Sequence, residues 1–324
     1  MQSRSVLVKA PATVGNFAGA MNCAALTLDA MFNMKVTPRL DGHVGIRYFG
    51  ENGDRVRRDR TNLVVRAMET ALHLKGLEFS GADFEIYSSV PVGVGMGSST
   101  AAVLAGLIAA DRLYGLGMNE KTLFELAQIY ETRMDNLHAA WHGGFVACVG
   151  EGPVRVVRRT FVPGDVVLSV VTPEIGSLVA AAEGGNTPEV AGQDASFHFE
   201  RARALADLFS LPGRRTTAGL DPVGSPANRK TAPGLEEALK VSMDGVMGVF
   251  VCGSGPGVGI LSRQNADRAI QAVRQCFLEN GTASTYGTFR PTNLGAQELN
   301  GAMPQITFPA LRRAETGATS ESLS

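Results

Sequence analysis

Short apolar runs bounded by glycine or proline predict strands along the first half of the chain. The first run, residues 5–10 (SVLVKA), is expected to end at Pro11, which lacks a backbone N–H. Further strands are predicted at residues 24–30, 31–38, 42–50, 83–90 and 143–150. Apolar and polar residues alternate in the run 83–90, which is typical of a strand with one buried face.

Longer segments between these strands have apolar residues three or four positions apart, which predicts amphipathic helices. The clearest helix covers residues 62–77, with Thr61 or Asn62 as its N-cap and Gly76 near its end. The same spacing predicts a helix over residues 118–133, and a strongly apolar run that begins with Ser98 and Ser99 predicts another over residues 98–114. Strands and helices therefore alternate irregularly, which favours an α+β fold over an all-parallel sheet.

The second half has the order β-α-α-β-β-α-β, which is typical of a small antiparallel sheet covered by helices. Its predicted strands are 166–173, 248–253, 258–262 and 283–289, and its predicted helices are 197–209, 235–240 and 264–279. Composition changes near residues 150–165, where we expect a domain boundary. The predicted organisation is a domain over 1–160, a second over 161–300, and a polar, disordered tail over 301–324.

Composition limits the classes of function. Hydrophobic residues make up 44% and charged residues 19% of the 324 residues, enough apolar material for a full core. The 30 basic and 31 acidic side chains leave no positive excess for a nucleic-acid backbone. Because apolar runs are too short for a spanning helix or a signal peptide, we expect no membrane partner and a cytoplasmic location. The four cysteines contain no CxxC pair and are predicted to be reduced core residues.

The segment 91–101 (PVGVGMGSSTA) places a glycine-rich turn between a predicted strand and an apolar helix. Backbone N–H groups in such a turn, and the free N–H groups of the following helix, can bind a phosphate. The segment is neither a Walker A loop nor a dinucleotide fingerprint. By itself it is equally consistent with a purely structural turn.

Together with three other segments, however, this turn resembles the GHMP kinases. Residues 91–101 are similar to that family's phosphate loop, P-x-x-x-G-[LM]-G-S-S-x-A. In chain order, residues 9–29, 131–144 and 249–261 resemble the opening motif, the E-G-H-P-D-N motif and the G-S-G-P motif of the homoserine kinase branch. Weaker similarity covers residues 219–237 and the terminal RPTNLGAQ, so that the resemblance extends over about residues 5–297.

The resemblance implies a two-domain fold: a ribosomal protein S5-like N-terminal domain that binds ATP, and a ferredoxin-like α/β-plait C-terminal domain. It also implies an ATP- and Mg²⁺-dependent kinase that phosphorylates the hydroxyl of homoserine, a step of threonine biosynthesis, and possible assembly as a homodimer. Two alternatives stay open. The acceptor could be another hydroxy amino acid or hydroxy acid, such as threonine, or the protein could be a non-catalytic nucleotide- or metabolite-binding protein.

The resemblance also assigns site residues. Nucleotide binding falls to ten positions: Asn62, Pro91, Gly93, Val94, Gly95, Met96, Gly97, Ser98, Ser99 and Thr100. Ser99 and Glu131 would ligate Mg²⁺ and, with Asn136, form the catalytic set. The acceptor would be bound by Asn16, Asn22, Asn136, Arg229, Gly253, Ser254 and Gly255.

Several of these residues have simpler explanations. Glu131 could be a solvated residue at a helix end, Asn62 could be only an N-cap, and Asn136 could cap a helix beginning near residue 137. Arg229 could belong to a solvated basic loop. His138 and His142, four residues apart, could share a helix face, but packing or surface roles are favoured over a metal pair.

The chain also departs from the family pattern at the acceptor site. Asn22 stands where the opening motif has an aspartate, and the arginine of a T-x-x-A-R segment expected near residues 178–188 is missing. The resemblance implies that the family's aspartate binds the amino group of homoserine and that its arginine helps to bind the carboxylate. Asn136 stands where mevalonate-type kinases have an aspartate base, and an amide cannot accept a proton at neutral pH. The resemblance therefore implies catalysis by positioning and charge stabilisation.

Overall fold

The computed structural model describes residues 5–17, 20, 22–148, 156–174, 192–210, 232–253, 255–263 and 266–304. Over these residues it forms two β-sheets, each covered by helices. None of the helices described is long and apolar enough to cross a membrane.

Seven of the described strands form the first sheet. They are β1 (Val6–Gly15), β2 (Ala24–Pro38), β3 (Val44–Gly50), β4 (Ala82–Ser88), β5 (Phe145–Cys148), β6 (Val156–Thr160) and β11 (Gln297–Leu299). The main order is β11-β1-β2-β4-β3, and β5 joins the other half of β2 and pairs with β6. Only the β3–β4 pair is parallel among these pairings.

Four helices accompany this sheet: α1 (Leu63–Leu74), α2 (Ser98–Tyr114), α3 (Glu120–Ala127) and α4 (Met134–His142). Every residue of α2 from Thr100 to Asp111 is buried, because this helix is apolar on all sides and is enclosed by neighbouring elements. The Asn62 side chain accepts a 3.0 Å hydrogen bond from the Val64 N–H and so caps α1.

The second sheet is antiparallel, with the order β10-β7-β9-β8. Its strands are β7 (Val167–Pro173), β8 (Val246–Val251), β9 (Val258–Ser262) and β10 (Ser284–Phe289). Helices α6 (Leu235–Leu239) and α7 (Asp267–Glu279) pack against it, and α5 (Gly192–Ser210) contacts β5 and β6 of the first sheet. The α+β class and the small antiparallel second sheet are thus confirmed.

Three element predictions were wrong. Strand β1 continues through Pro11 to Gly15, and residues 24–38 form one strand rather than two. Pro11 pairs with Met31 whereas Ala12 pairs with Leu28, so the register shifts there and β2 accommodates two extra residues. The predicted helix 118–133 ends at Ala127, and residues Met134–His142 form a separate helix.

The segment 292–299, which follows the second sheet in the chain, returns to the first sheet. Strand β11 pairs with β1, with Leu299 opposite Leu7. The Thr292 N–H donates to the Thr27 carbonyl at 3.0 Å, so the segment before β11 also contacts β2. The proposed boundaries at 160 and 300 stay predictions, and residues 305–324 of the predicted tail lie outside the described residues.

Candidate functional site

The glycine-rich turn lies between β4 and α2, where the sequence predicted it. Gly93, Gly95 and Gly97 have φ values of 78°, 84° and 70°. These left-handed conformations strain any residue with a Cβ, so the local backbone path depends on glycine. The turn itself is therefore confirmed as a structural feature.

Close packing gives a second reason for two of these glycines. A Cβ at Gly95 would collide with the backbone carbonyl of Cys252, and a Cβ at Gly97 would collide with the side chain of Thr13. The Thr13 N–H also donates to the Met96 carbonyl at 3.1 Å. The turn is thus held between β1 and the loop after β8, a constraint that the sequence alone did not reveal.

The first turn of α2 has no side-chain cap. Its N-cap residue is Gly97, which has no side chain that could accept a hydrogen bond from the first N–H groups. The positive end of the helix dipole also favours a negative charge at this position. The uncapped end of α2 is therefore suited to bind an anion such as a phosphate.

The side chains in and beside the turn differ in what they can offer a ligand. The side chains of Val94 and Met96 are buried in the core, so only their backbone groups can face a ligand. A Cβ at Gly93 would lie 3.1 Å from Nη1 of Arg55, so this guanidinium lies beside the turn. Arg55 was missed because it is about 40 residues away in a run of charged residues whose position only the fold determines.

Glu131 lies next to the uncapped helix end. The Thr100 hydroxyl donates a 2.6 Å hydrogen bond to Oε2 of Glu131, and the Glu131 side chain is 7% exposed. A solvated helix-end glutamate, the simpler alternative, is therefore excluded. Ser99 is half-buried on the same helical turn, but the hydroxyl in contact with Glu131 is that of Thr100.

Arg133 is a charged neighbour that the sequence analysis passed over. Its backbone N–H donates to Oε1 of Glu131 at 3.1 Å, and its Nε lies 3.5 Å from the same oxygen. Its Nη1 is buried without a hydrogen-bond partner among the described residues, and it lies beside Gly253. An unpaired buried N–H of a guanidinium is costly, so this group is suited to bind an anionic ligand.

Asp135 is fully buried at the start of α4. Its carboxylate accepts the Asn16 N–H at 3.1 Å and the Asn136 N–H at 2.9 Å. Burial raises the pKa of Asp135 to about 6, against the opposing effects of Arg133 and of these two hydrogen bonds. Asp135 thus joins two predicted acceptor-binding residues that are 120 positions apart in the chain.

Three more predicted acceptor residues adjoin this pair. The Asn16 amide donates to the Gly253 carbonyl at 3.3 Å, and its oxygen accepts the Asn22 N–H at 2.9 Å. The Gly253 N–H donates to the Gly15 carbonyl, and the Gly255 N–H donates to the Cys252 carbonyl. The side-chain oxygens of Asn22 and Asn136 are buried without a hydrogen-bond partner among the described residues.

The structure thus brings together Asn16, Asn22, Asn136, Gly253 and Gly255 near the glycine-rich turn and Glu131. The hydrogen bonds of Asn62 are local: its amide donates to the Arg57 carbonyl at 2.6 Å, and its oxygen caps α1. Asn62 is therefore an N-cap, and its contact with a nucleotide stays a prediction. Arg229, Ser254 and the segment 178–188 lie outside the described residues.

Comparison with known proteins confirms the resemblance found in the sequence. Residues 62–144, which include the glycine-rich turn and Glu131, match the family model described as GHMP kinases N terminal domain. A curated protein of Leifsonia xyli named homoserine kinase is 29% identical over 317 residues, or 96% of this chain and 95% of the relative. A protein of Moorella thermoacetica with the same name is 27% identical over 297 residues, which are 90% of this chain and 98% of the relative.

Solved structures agree on the fold. A homoserine kinase from Cytophaga hutchinsonii superimposes with a TM-score of 0.71 at 24% identity, covering 91% of this chain and 97% of that one. A Lactococcus lactis galactokinase complexed with galactose gives a TM-score of 0.63 at 15% identity, covering 92% and 96%. The expected GHMP kinase-like fold is therefore confirmed.

Proposed function

We propose that the protein is an ATP-dependent kinase that transfers the γ-phosphoryl group to the hydroxyl of homoserine, forming O-phosphohomoserine. One observation carries the proposal: the uncapped N-terminus of α2 lies beside a buried carboxylate, that of Glu131, to which it is joined through Thr100. This arrangement can bind a phosphate and a hard cation side by side. Relatives named homoserine kinase, aligned over most of the chain, support the choice of reaction.

The nucleotide phosphates would bind at the glycine-rich turn. The backbone from Pro91 to Gly97 would surround them, and Ser98, Ser99 and Thr100 would offer the N–H groups of the first helical turn. Arg55 and Arg133 would add positive charge on two sides, since their guanidinium groups lie beside Gly93 and Gly253 respectively. Neither arginine was assigned from the sequence.

Glu131 and Ser99 would hold the Mg²⁺ that accompanies the nucleotide. A buried carboxylate and nearby hydroxyls form the oxygen donor set that this ion prefers, so the residues fit the ion. Mg²⁺, when bound, neutralises charge on the transferring phosphate. Thr100 would orient the Glu131 carboxylate, while Arg133 lies against its other oxygen.

The acceptor would lie among Asn16, Asn22 and Asn136, beside the turn that contains Gly253 and Gly255. The unpaired oxygens of Asn22 and Asn136 can accept hydrogen bonds from an ammonium or hydroxyl group. Arg229 and Ser254 complete this proposed set.

No proton acceptor is assigned among these amides. The nearest carboxylate, that of Asp135, already accepts the N–H groups of Asn16 and Asn136. Asp135 would therefore act as a positioning residue that fixes the acceptor site. The γ-phosphoryl transfer would depend on alignment and charge stabilisation, which suffice for a loose transition state.

The test is an acceptor screen with the full chain, ATP and Mg²⁺, in which ADP release is measured and the product is identified by mass spectrometry. Homoserine should give the highest kcat/KM, with one phosphoryl group added. A higher value for threonine or for a hydroxy acid would replace homoserine as the acceptor. ATP binding without turnover on any acceptor would favour a non-catalytic binding protein instead.

A homodimer and a cytoplasmic location stay predictions. Sedimentation of the purified chain would determine the first, and cell fractionation the second.

A further inference from the structure

A cluster of three potential metal ligands lies between the first residue of α3 and the last turn of α4. Among the described residues, Glu120, His138 and His142 form the group whose ligand atoms all lie within 4.8 Å of one another. The two histidines are four residues apart on α4, so their side chains project from the same helix face. Glu120 supplies the third ligand that the sequence analysis did not find.

The buried histidine of this cluster has two unpaired ring nitrogens, either of which could bind a metal ion. His138 is 1% exposed, and neither of its ring nitrogens has a hydrogen-bond partner among the described residues. Burying an imidazole with both nitrogens unpaired is unfavourable. The ring of Phe124 packs against His138 with the two ring centroids 4.5 Å apart, and this ring offers no strong hydrogen-bond acceptor.

The other two side chains complete the arrangement. The His142 ring is stacked parallel to that of His138 with centroids 5.7 Å apart, and His142 Nε2 lies 3.6 Å from Oε1 of Glu120. The Trp141 indole N–H donates to the other Glu120 oxygen at 3.0 Å, which fixes the direction of the carboxylate. Ligands about 2.0–2.2 Å from a tetrahedral zinc are roughly 3.3–3.6 Å apart, so only small side-chain rotations are needed.

From these contacts we propose that Glu120, His138 and His142 bind a divalent transition-metal ion, with Zn²⁺ as the best match. Two imidazoles and one carboxylate are a typical zinc donor set, whereas Mg²⁺ prefers oxygen ligands alone. The Glu120 and His142 side chains are 41% and 25% exposed, so an ion can enter from solvent and reach the buried His138. The inference does not depend on the proposed kinase activity.

One neighbouring charge opposes a cation. Arg159 lies close enough to act electrostatically on His142. Its guanidinium, however, is held by the carbonyls of Gly143 and Asn293 at 3.1 Å and 2.7 Å. Because these bonds direct the guanidinium to main-chain oxygens, Arg159 reduces the affinity without occupying the ligand positions.

The site would connect two helices that flank residues of the proposed kinase site. Its ion would tie the start of α3 to the end of α4, while Glu131 follows α3 and Asp135 begins α4. The connection predicts that bound zinc raises the thermal stability of the chain.

The experiment is titration of the tag-free full chain with Zn²⁺ against a chromophoric chelator, with visible absorption of bound Co²⁺ as a report of tetrahedral geometry. Wild type should bind one Zn²⁺ per chain and gain thermal stability. Glu120→Gln and His142→Ala, both at partly exposed positions, should each weaken binding by roughly tenfold or more. The matched control is His73→Ala, which removes an exposed imidazole from α1 and should bind as wild type.

Folded wild-type chain that binds no Zn²⁺ would overturn the proposal. So would equal affinity of Glu120→Gln and His142→Ala with wild type, because the ion would then be bound elsewhere. His138→Ala removes a buried side chain and could impair folding, so the two partly exposed variants carry the test.

Discussion

The Thr100 hydroxyl donates a 2.6 Å hydrogen bond to the carboxylate of Glu131, and so joins the first turn of α2 to the segment after α3. Both side chains are buried. The bond holds a negative charge beside a helix end that itself attracts anions, an arrangement that favours a bridging cation. The charge of Glu131 can therefore be tested apart from its shape.

Glu131→Gln keeps the size of the side chain and an oxygen that can accept the Thr100 hydrogen bond. Loss of the charge should lower kcat by on the order of 10²-fold and change the Mg²⁺ dependence, as measured by steady-state kinetics over a Mg²⁺ series. Thr100→Ser, which keeps the hydroxyl, is the control and should remain close to wild type. An unchanged rate and Mg²⁺ dependence in Glu131→Gln would remove Glu131 from the metal site.

Gly97→Val should abolish ATP binding, because a side chain at this position would obstruct the approach of the backbone N–H groups to the nucleotide. The structure adds a stability cost, because any Cβ at Gly97 meets Thr13 as well as a left-handed φ of 70°. The milder Gly97→Ala should lose nucleotide affinity and about 2–4 kcal/mol of unfolding free energy, combining strain and overpacking. Nucleotide titration and denaturant unfolding would measure the two effects.

Gly115 provides the matched control for this change. It caps the other end of α2 with a φ of 62°, but a Cβ there would contact nothing within 4 Å. Gly115→Ala should therefore cost only about 1 kcal/mol and leave ATP binding intact. Similar stability losses in the two variants would show that strain, rather than the contact with Thr13, explains the requirement for Gly97.

Asp135 should make stability depend on pH in the acid range. Burial raises the pKa of this group from 3.8 to about 6, so between those values the native chain keeps a proton that the unfolded chain has lost. Its contribution to stability is therefore present below about pH 4 and is lost as pH rises through 6. The loss amounts to about 3 kcal/mol for a shift of this size.

Asp135→Asn should remove this component of the pH dependence. Relative to the variant, wild type should become less stable as pH rises from 4 to 7, measured by urea unfolding across that range. The catalytic rate should change in the opposite direction: kcat/KM of wild type should fall as pH drops below about 6, since the protonated carboxyl no longer accepts both N–H groups. A constant stability difference between the two proteins would contradict the assignment.

Asn22→Asp tests the departure from the family pattern at the acceptor site. The Asn22 side-chain oxygen is buried and unpaired, and a carboxylate there would attract a substrate ammonium more strongly than an amide does. We expect a gain in kcat/KM for homoserine and none for a hydroxy acid that lacks the amine. An equal response to both acceptors, in a folded variant, would show that residue 22 does not contact the ammonium.

Local signals in the sequence were sufficient for much of the fold and for the phosphate site. Helix α2 was predicted with its observed bounds, since its apolar run is long and its ends are marked by glycine. The continuation of β1 through Pro11 was missed because a register shift against β2 accommodates the proline. Such pairings form between distant segments and leave no local pattern.

The same distinction applies to the candidate site. Motif similarity found Glu131 and Asn136, but the roles of Asp135 and Arg133 emerge only from contacts. The carboxylate of Asp135 accepts an N–H from Asn16, 119 residues earlier, and Arg133 is placed beside Gly253, 120 residues later. Likewise, Glu120 joins His138 and His142 only because α3 and α4 lie together.

The pairing of β11 with β1 has a consequence for synthesis of the chain. Residues 6–15 are synthesised well before residues 297–299, so the outer edge of β1 gains its partner only when the later segment has been made. Until then β1 presents unpaired N–H and C=O groups that can pair with a foreign strand. The nascent chain is thus exposed to aggregation at this edge while residues 16–296 are translated, and a nascent chain stalled before residue 297 should bind chaperones longer than one released after residue 299.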